Sequence, residues 1–200
     1  MAKKNDTKAA AKDDYPVITC KTQKEWHNWL DKNHFKLNGI WLRFFKKASD
    51  TKSVNYKEAV DEALCYGWID GQANKYDDES WIQKFTPRTA KSIWSKKNTE
   101  NIERLTTLGK MKSPGLEEVD KAKADGRWAK AYDSPKEMQI PEEFIRELSK
   151  NKKASAFYET LNKTNKYAIG WRLQTAKKPE TKEKRIKMII EMLSKGQKFH

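Results

Sequence analysis

The chain has 200 residues, 36% of them apolar, and a formal net charge of +14, which suits one larger domain or two small ones with a buried core. No run approaches the roughly 18 apolar residues of a membrane span. Met1–Lys12 carries lysines without an apolar segment, unlike a signal peptide, and two cysteines are too few for a disulfide framework, so the chain reads as cytoplasmic.

Residues 1–14 are polar and low in complexity, and a disordered tail is expected there. Tyr15–Thr19 looks like an extended lead-in. Thr22 with Glu25 fits a capping box, and Trp26, Trp29 and Leu30 then fall on one helical face. Asn38-Gly39 turns the chain into a strand, Ile40–Phe45, rich in β-branched and aromatic residues. Lys46–Ser53 is a polar loop. Asn55 with Glu58 opens a second helix, whose apolar stripe is Tyr56, Ala59, Val60, Ala63 and Leu64. Gly67 stands where a left-handed glycine would stop it. Trp68–Lys75 and Ser80–Thr86 read as an antiparallel hairpin around Tyr76–Glu79, so at least three strands accompany two helices.

Pro87 breaks this pattern, and residues 88–98 form a polar, basic connector. Asn98 is placed to cap a helix carrying Ile102, Leu105 and Leu108 and ending at Gly109. Ser113-Pro114 opens another, with Leu116 and Val119, closed by Gly126. Arg127–Gln139 contains Trp128 and Tyr132 and becomes a linker. From Pro141 the chain is helical: Phe144, Ile145 and Leu148 form one stripe, and Phe157, Tyr158 and Leu161 another. Tyr167 and Trp171 lie on a third helix. Ile186, Ile189, Ile190 and Leu193 mark the last, after Pro179. The expected organisation is a tail (1–14), an α+β domain (15–133), a linker (134–140) and a helical module (141–200). That module can pack on itself or dock on the first domain.

The charge is uneven. Residues 1–140 carry 27 basic and 21 acidic side chains, and residues 141–200 carry 15 and 7. Either a polyanion partner or simply a soluble, lysine-rich surface accounts for this. His27, His34 and His200 have no ligand spacing with one another or with a cysteine, so no metal site or cofactor is expected. GxSxG and phosphate-cradling glycine loops are absent, and no catalytic residue is assigned. Asp70 follows a glycine turn and can serve that turn or act as an acid or base. In the connector, Arg88, Lys91, Lys96 and Lys97 interleave with Trp94, while Ser92, Ser95 and Asn98 add short polar groups. Such a set can grip phosphates and stack a base. It can equally be a core Trp94 with Ser95 and Asn98 at a helix start.

Several stretches together resemble the YdeI/OmpD-associated (bacteriocin-protection) family over about residues 22–196. They are Gly39-Ile40-Trp41-Leu42 with Lys46-Lys47, Glu62 through Gly71, and Phe85-Thr86-Pro87-Arg88 with Ser92, Trp94-Ser95 and Asn98. Leu108 through Met111, Gly126-Arg127-Trp128, Phe157, Trp171, Ala176-Lys177, Thr181 and Arg185-Ile186 extend the likeness. The resemblance implies an α+β fold of the YjbR/CyaY-like superfamily, with helices on a small antiparallel sheet and a C-terminal helical module. It also implies a role in stress or bacteriocin protection, and some YjbR-like proteins are thought to bind DNA. Frataxin-like relatives bind iron through an acidic ridge that this basic chain lacks, so iron is not expected.

Three functional readings follow. The first is a non-enzymatic protein binding a small anionic ligand or a partner protein between the Gly67–Gly71 turn and the Arg88–Asn98 connector. Its candidate residues are Trp68, Asp70, Arg88, Ser92, Trp94, Ser95 and Asn98. The second is a nucleic-acid-binding protein using Arg88, Lys91, Lys96, Lys97 and the C-terminal helices. The third is an enzyme with Asp70 as its acid or base.

Overall fold

The computed structural model describes residues 15–200; the tail expected to be disordered lies outside them. The chain divides into two compact units. Among the described residues, one comprises Tyr15–Ser92 with Asn101–Ala124, and the other comprises Ile93–Glu100 with Asp125–His200.

The first unit is built on a four-stranded sheet. β1 (Val17–Thr19), β2 (Ile40–Phe45), β3 (Trp68–Lys75) and β4 (Ser80–Pro87) lie in the order β1-β2-β4-β3. β4 runs antiparallel to both neighbours. β1 runs parallel to β2, with Val17 opposite Trp41, so the sheet is mixed rather than purely antiparallel. β1 lies within the extended lead-in at Tyr15–Thr19, but three residues carry too little alternation to specify a parallel partner.

Two helices cover one face. In α1 (Gln23–Asn33) the Thr22 hydroxyl accepts from the Glu25 amide at 3.2 Å. The Glu25 carboxylate reaches the Lys21 amide at 2.7 Å, one residue short of a reciprocal box. In α2 (Tyr56–Cys65) the Asn55–Glu58 box is complete. Trp26 and Leu30 are fully buried, and the Trp26 ring meets Phe85 of β4 edge-on at 5.6 Å. Its indole N–H donates to the Ala59 carbonyl at 3.0 Å, which joins α1 to α2 as well as to the sheet. Burying rings of this size is the main stabilising term available to so small a sheet.

Gly67 ends α2 with φ +72°. There the chain meets α4 (Ser113–Ala124): a Cβ on Gly67 would lie 2.8 Å from the Pro114 carbonyl oxygen, and one on Gly115 would lie 2.3 Å from that of Cys65. Two missing side chains thus let the end of α2 touch the start of α4. Cys65 is buried there, and Cys20 beside β1 is buried too. Burial, then the Glu25 charge, pushes the Cys20 thiol up to about 11. Burial, then Glu62 and Asp61, pushes Cys65 up to about 12, with Lys110 and Lys112 opposing. Both thiols therefore behave as small apolar groups. A thiol-reactive dye at mildly alkaline pH should label neither in the native protein and both in denaturant; fast native labelling of either would contradict this burial.

α3 (Lys96–Thr107) spans the division between the units. It begins two residues before Asn98. Its start is capped by Ser95, whose hydroxyl accepts from the Asn98 amide at 3.1 Å. The second unit otherwise holds α5 (Glu142–Ser149), α6 (Lys152–Glu159), α7 (Lys163–Gln174) and α8 (Pro179–Ser194). Their stripes pack on one another around Phe144, Tyr158, Ile169, Leu173 and Ile189. Gly170 makes room for Met138, which would lie 2.5 Å from a Cβ there.

Candidate functional site

Of the residues proposed from sequence, Trp68, Asp70, Arg88 and Ser92 belong to the sheet-bearing unit, and Trp94, Ser95 and Asn98 to the other. Trp68 is 1% exposed; its indole donates to the His34 carbonyl at 3.2 Å and its ring meets Trp29 edge-on. Asp70 sits opposite Phe85 on β3. It accepts from the Tyr56 phenol at 2.5 Å, so its bond reaches α2 instead of its own turn. Arg88 is 5% exposed, and its amide donates to the Gly67 carbonyl at 2.8 Å. The Ser92 hydroxyl accepts from the Thr89 amide in a tight turn.

Trp94 is 1% exposed and packs on Trp128 with ring centroids 5.0 Å apart. Its carbonyl accepts from the Tyr132 amide, and the Tyr132 carbonyl from the Lys96 amide. An indole so covered offers no face for a base to stack on, which corrects the stacking role read from the connector. Ser95 is the cap of α3, and Asn98 supplies the capped amide rather than the capping side chain. Lys96 is paired with Asp133 at 2.6 Å and Lys97 with Glu100 at 3.4 Å. Asp133 also accepts from Gln174 at 2.6 Å. Burial alone would push the Asp133 carboxyl up; the bonds from Lys96, Gln174 and the Gln139 amide outweigh it and hold the group below its usual range. Lys91 is the one residue of the basic set without a structural task of this kind among the described residues, and it is exposed.

A polar ladder joins α1 to α2. Gln23 donates to Glu62 at 2.6 Å, and the other Glu62 oxygen meets His27 Nδ1 at 2.8 Å. The Tyr66 hydroxyl lies 3.3 Å from His27 Nε2 and donates to Asp31 at 3.1 Å. If Nδ1–H points at Glu62, Nε2 is an acceptor, and the one phenol proton must serve either His27 or Asp31. Burial first, then the Asp31 bond, pushes the Tyr66 phenol up, so it stays protonated at neutral pH. The groups are spent on one another and tie two helices together. From sequence, only the spacing of Gln23, His27 and Asp31 at every fourth position hints at the ladder. Among the described residues no group of three His, Cys, Asp or Glu side chains is arranged to hold a metal ion. No described helix is long and apolar enough to cross a membrane.

In the second unit, lysines gather where helices begin. Lys152 and Lys153 follow the Asn151 cap of α6, and Lys163 follows the Asn162 cap of α7. Neither helix has an acidic residue in its first turn. Lys177 and Lys178 precede Pro179 at the start of α8 and line a pocket of about 320 Å³ with Lys182, Glu143, Glu183 and Ile186. Lys152, Lys153, Lys163, Lys177 and Lys178 are all exposed, and among the described residues none of the five joins a salt bridge. A cation at a helix N-terminus opposes the helix dipole by about 0.3–1 kcal/mol. The same position favours an anion.

Comparison with known families gives two matches. Residues 18–118, half of the chain, match the family model described as domain of unknown function DUF8412. The chain belongs to the DUF8412 family. Its region takes in the sheet except Val17, together with α1, α2 and the contact between the end of α2 and the start of α4. Residues 137–196 match a second model, described as bacteriocin-protection, YdeI or OmpD-associated. The resemblance drawn over residues 22–196 thus rests on that family's model in the C-terminal helices, while the DUF8412 region holds the sheet. No curated protein and no solved structure matches the chain.

Proposed function

We propose that the protein is a non-enzymatic nucleic-acid-binding protein whose C-terminal helices hold phosphates. The carrying observation is the set of five exposed lysines, Lys152, Lys153, Lys163, Lys177 and Lys178, at the starts of α6, α7 and α8, outside any described salt bridge. Lysines and helix N-termini position a protein on a phosphate backbone without reading sequence. The +8 charge of residues 141–200 supplies the attraction that brings a polyanion to them. The connector contributes Lys91, since Lys96 and Lys97 are engaged with carboxylates and Arg88 is buried. A small-ligand groove has less support, because Trp68, Trp94 and Arg88 are buried. Asp70 as acid or base has less support too, with its carboxylate bonded to Tyr56.

The test is retardation of duplex and single-stranded probes by the full chain across a salt series. Wild type should bind at low salt and release steeply as salt rises. Replacing the five lysines with Gln should flatten the salt slope by about 1 for each phosphate that is no longer neutralised. Failure to retard any probe at low salt, or an unchanged slope in the variant, would overturn the proposal.

A further inference from the structure

Two arginines in the second unit are linked through the last turns of α7. Arg172, near the C-terminal end of α7, lays its guanidinium on the Phe199 ring, 3.7 Å from the centroid, and donates Nη1 to the Ala168 carbonyl at 3.1 Å. Arg185, on α8, donates Nη1 to the backbone carbonyl of Arg172 itself and approaches the Thr175 hydroxyl at 3.4 Å. That hydroxyl is fixed by its own bond to the Trp171 carbonyl at 2.7 Å. The bond to the Arg172 carbonyl caps the end of α7, and it uses one nitrogen of a fork that carries five N–H donors. Both side chains are half-buried. Among the described residues neither meets a carboxylate, whereas Arg43, Arg104 and Arg127 each do. Partial burial, then the Arg185 charge, pushes Arg172 below its ordinary value.

We propose that Arg172 and Arg185 together hold one oxyanion of the phosphate class where α7 gives way to α8, either free phosphate or a single phosphodiester of a nucleic acid. A tetrahedral oxyanion offers several acceptors to two planar forks, and its negative charge offsets their mutual repulsion. The ring of Phe199 and the bonds to Ala168, Arg172 and Thr175 hold the two forks in place before the anion arrives, so little side-chain freedom is lost on binding. The phosphodiester form of this inference rests on the nucleic-acid reading above and gives it a defined contact; the free-phosphate form stands without it.

The test uses the full chain with inorganic phosphate and, separately, a labelled single-stranded DNA oligonucleotide. Phosphate should raise the thermal midpoint over chloride at equal ionic strength. Arg172→Gln should weaken phosphate binding about tenfold or more, and so should Arg185→Lys, which keeps the charge and a cap donor but loses the fork. Lys136→Gln, at an exposed lysine of the same unit outside both sets of proposed contacts, should leave phosphate binding unchanged. Lack of stabilisation by millimolar phosphate in wild type, or wild-type phosphate affinity in both well-folded arginine variants, overturns the site. Oligonucleotide binding that survives such a result leaves the nucleic-acid reading standing. Phosphate binding abolished in the arginine variants, with no oligonucleotide bound by wild type, keeps the site and removes that reading.

Discussion

Gly67→Ala is expected to destabilise the sheet-bearing unit by about 3 kcal/mol, the sum of two separate penalties. The first is conformational: at φ +72° an alanine Cβ crowds its own backbone, which costs about 1–2 kcal/mol. The second is steric: the same Cβ would lie 2.8 Å from the Pro114 carbonyl oxygen and 3.1 Å from Glu118 Cγ. Overpacking of this kind costs about 1–3 kcal/mol. Two other glycines separate the penalties. Gly109 has φ +64° with nothing within 4 Å of its Cβ position, so Gly109→Ala should show strain alone. Gly115 lacks the left-handed φ, but its Cβ would stand 2.3 Å from the Cys65 carbonyl oxygen, so Gly115→Ala should show the clash alone. That neighbour is backbone and can yield only if α4 moves off the end of α2. Urea unfolding followed by tryptophan fluorescence should rank Gly109→Ala as the mildest of the three. Equal destabilisation at Gly67 and Gly109 would mean that the approach of α4 contributes nothing.

Trp26→Ala is expected to cost about 3–5 kcal/mol, a large share of a typical domain's stability. The ring is fully buried, stacks on Trp29 at 5.2 Å and meets Phe85 edge-on, so its removal opens a cavity between α1 and the sheet. It also ends the indole bond to Ala59. Trp26→Phe keeps most of the apolar area and loses that bond, so a cost of about 1–3 kcal/mol is expected. Phe35, 70% exposed two residues past the end of α1, is the control, and its replacement by Ala should fall within about 0.5 kcal/mol of wild type. A Trp26→Ala cost no greater than that of Phe35→Ala would refute the placement of the core.

Local chemistry made much of this architecture legible. Asn55 and Glu58 open α2, Gly67 closes it, Ser113-Pro114 opens α4, and Pro179 starts α8. Each signal is complete within a few residues, because caps and left-handed turns are satisfied by neighbours in the chain. Where two residues of equal capping ability lie three apart, that logic is ambiguous. Ser95 rather than Asn98 caps α3, and the choice coincides with the Trp94 and Lys96 bonds to Tyr132, far along the sequence. β1 falls within the extended lead-in at Tyr15–Thr19, but its place in the sheet is not legible there, since that depends on its parallel pairing with β2.

The candidate surface is less legible than the fold. In sequence the basic connector is a set of charges around a tryptophan, but burial of that tryptophan and the pairing of its lysines depend on Trp128, Asp133 and Glu100. The lysines of α6, α7 and α8 are indistinguishable from general surface charge until the helix starts are located. His27 and Glu62 are 35 residues apart, and Arg172 and Arg185 are 13 apart on separate helices. Short stretches of the chain specify where helices stop, where strands begin and that the last 60 residues carry the excess charge. Contacts across the fold specify which aromatic rings are covered, which cations are already paired, and which polar groups meet. Burial and pairing are settled by residues far apart in the chain, and no local pattern specifies them.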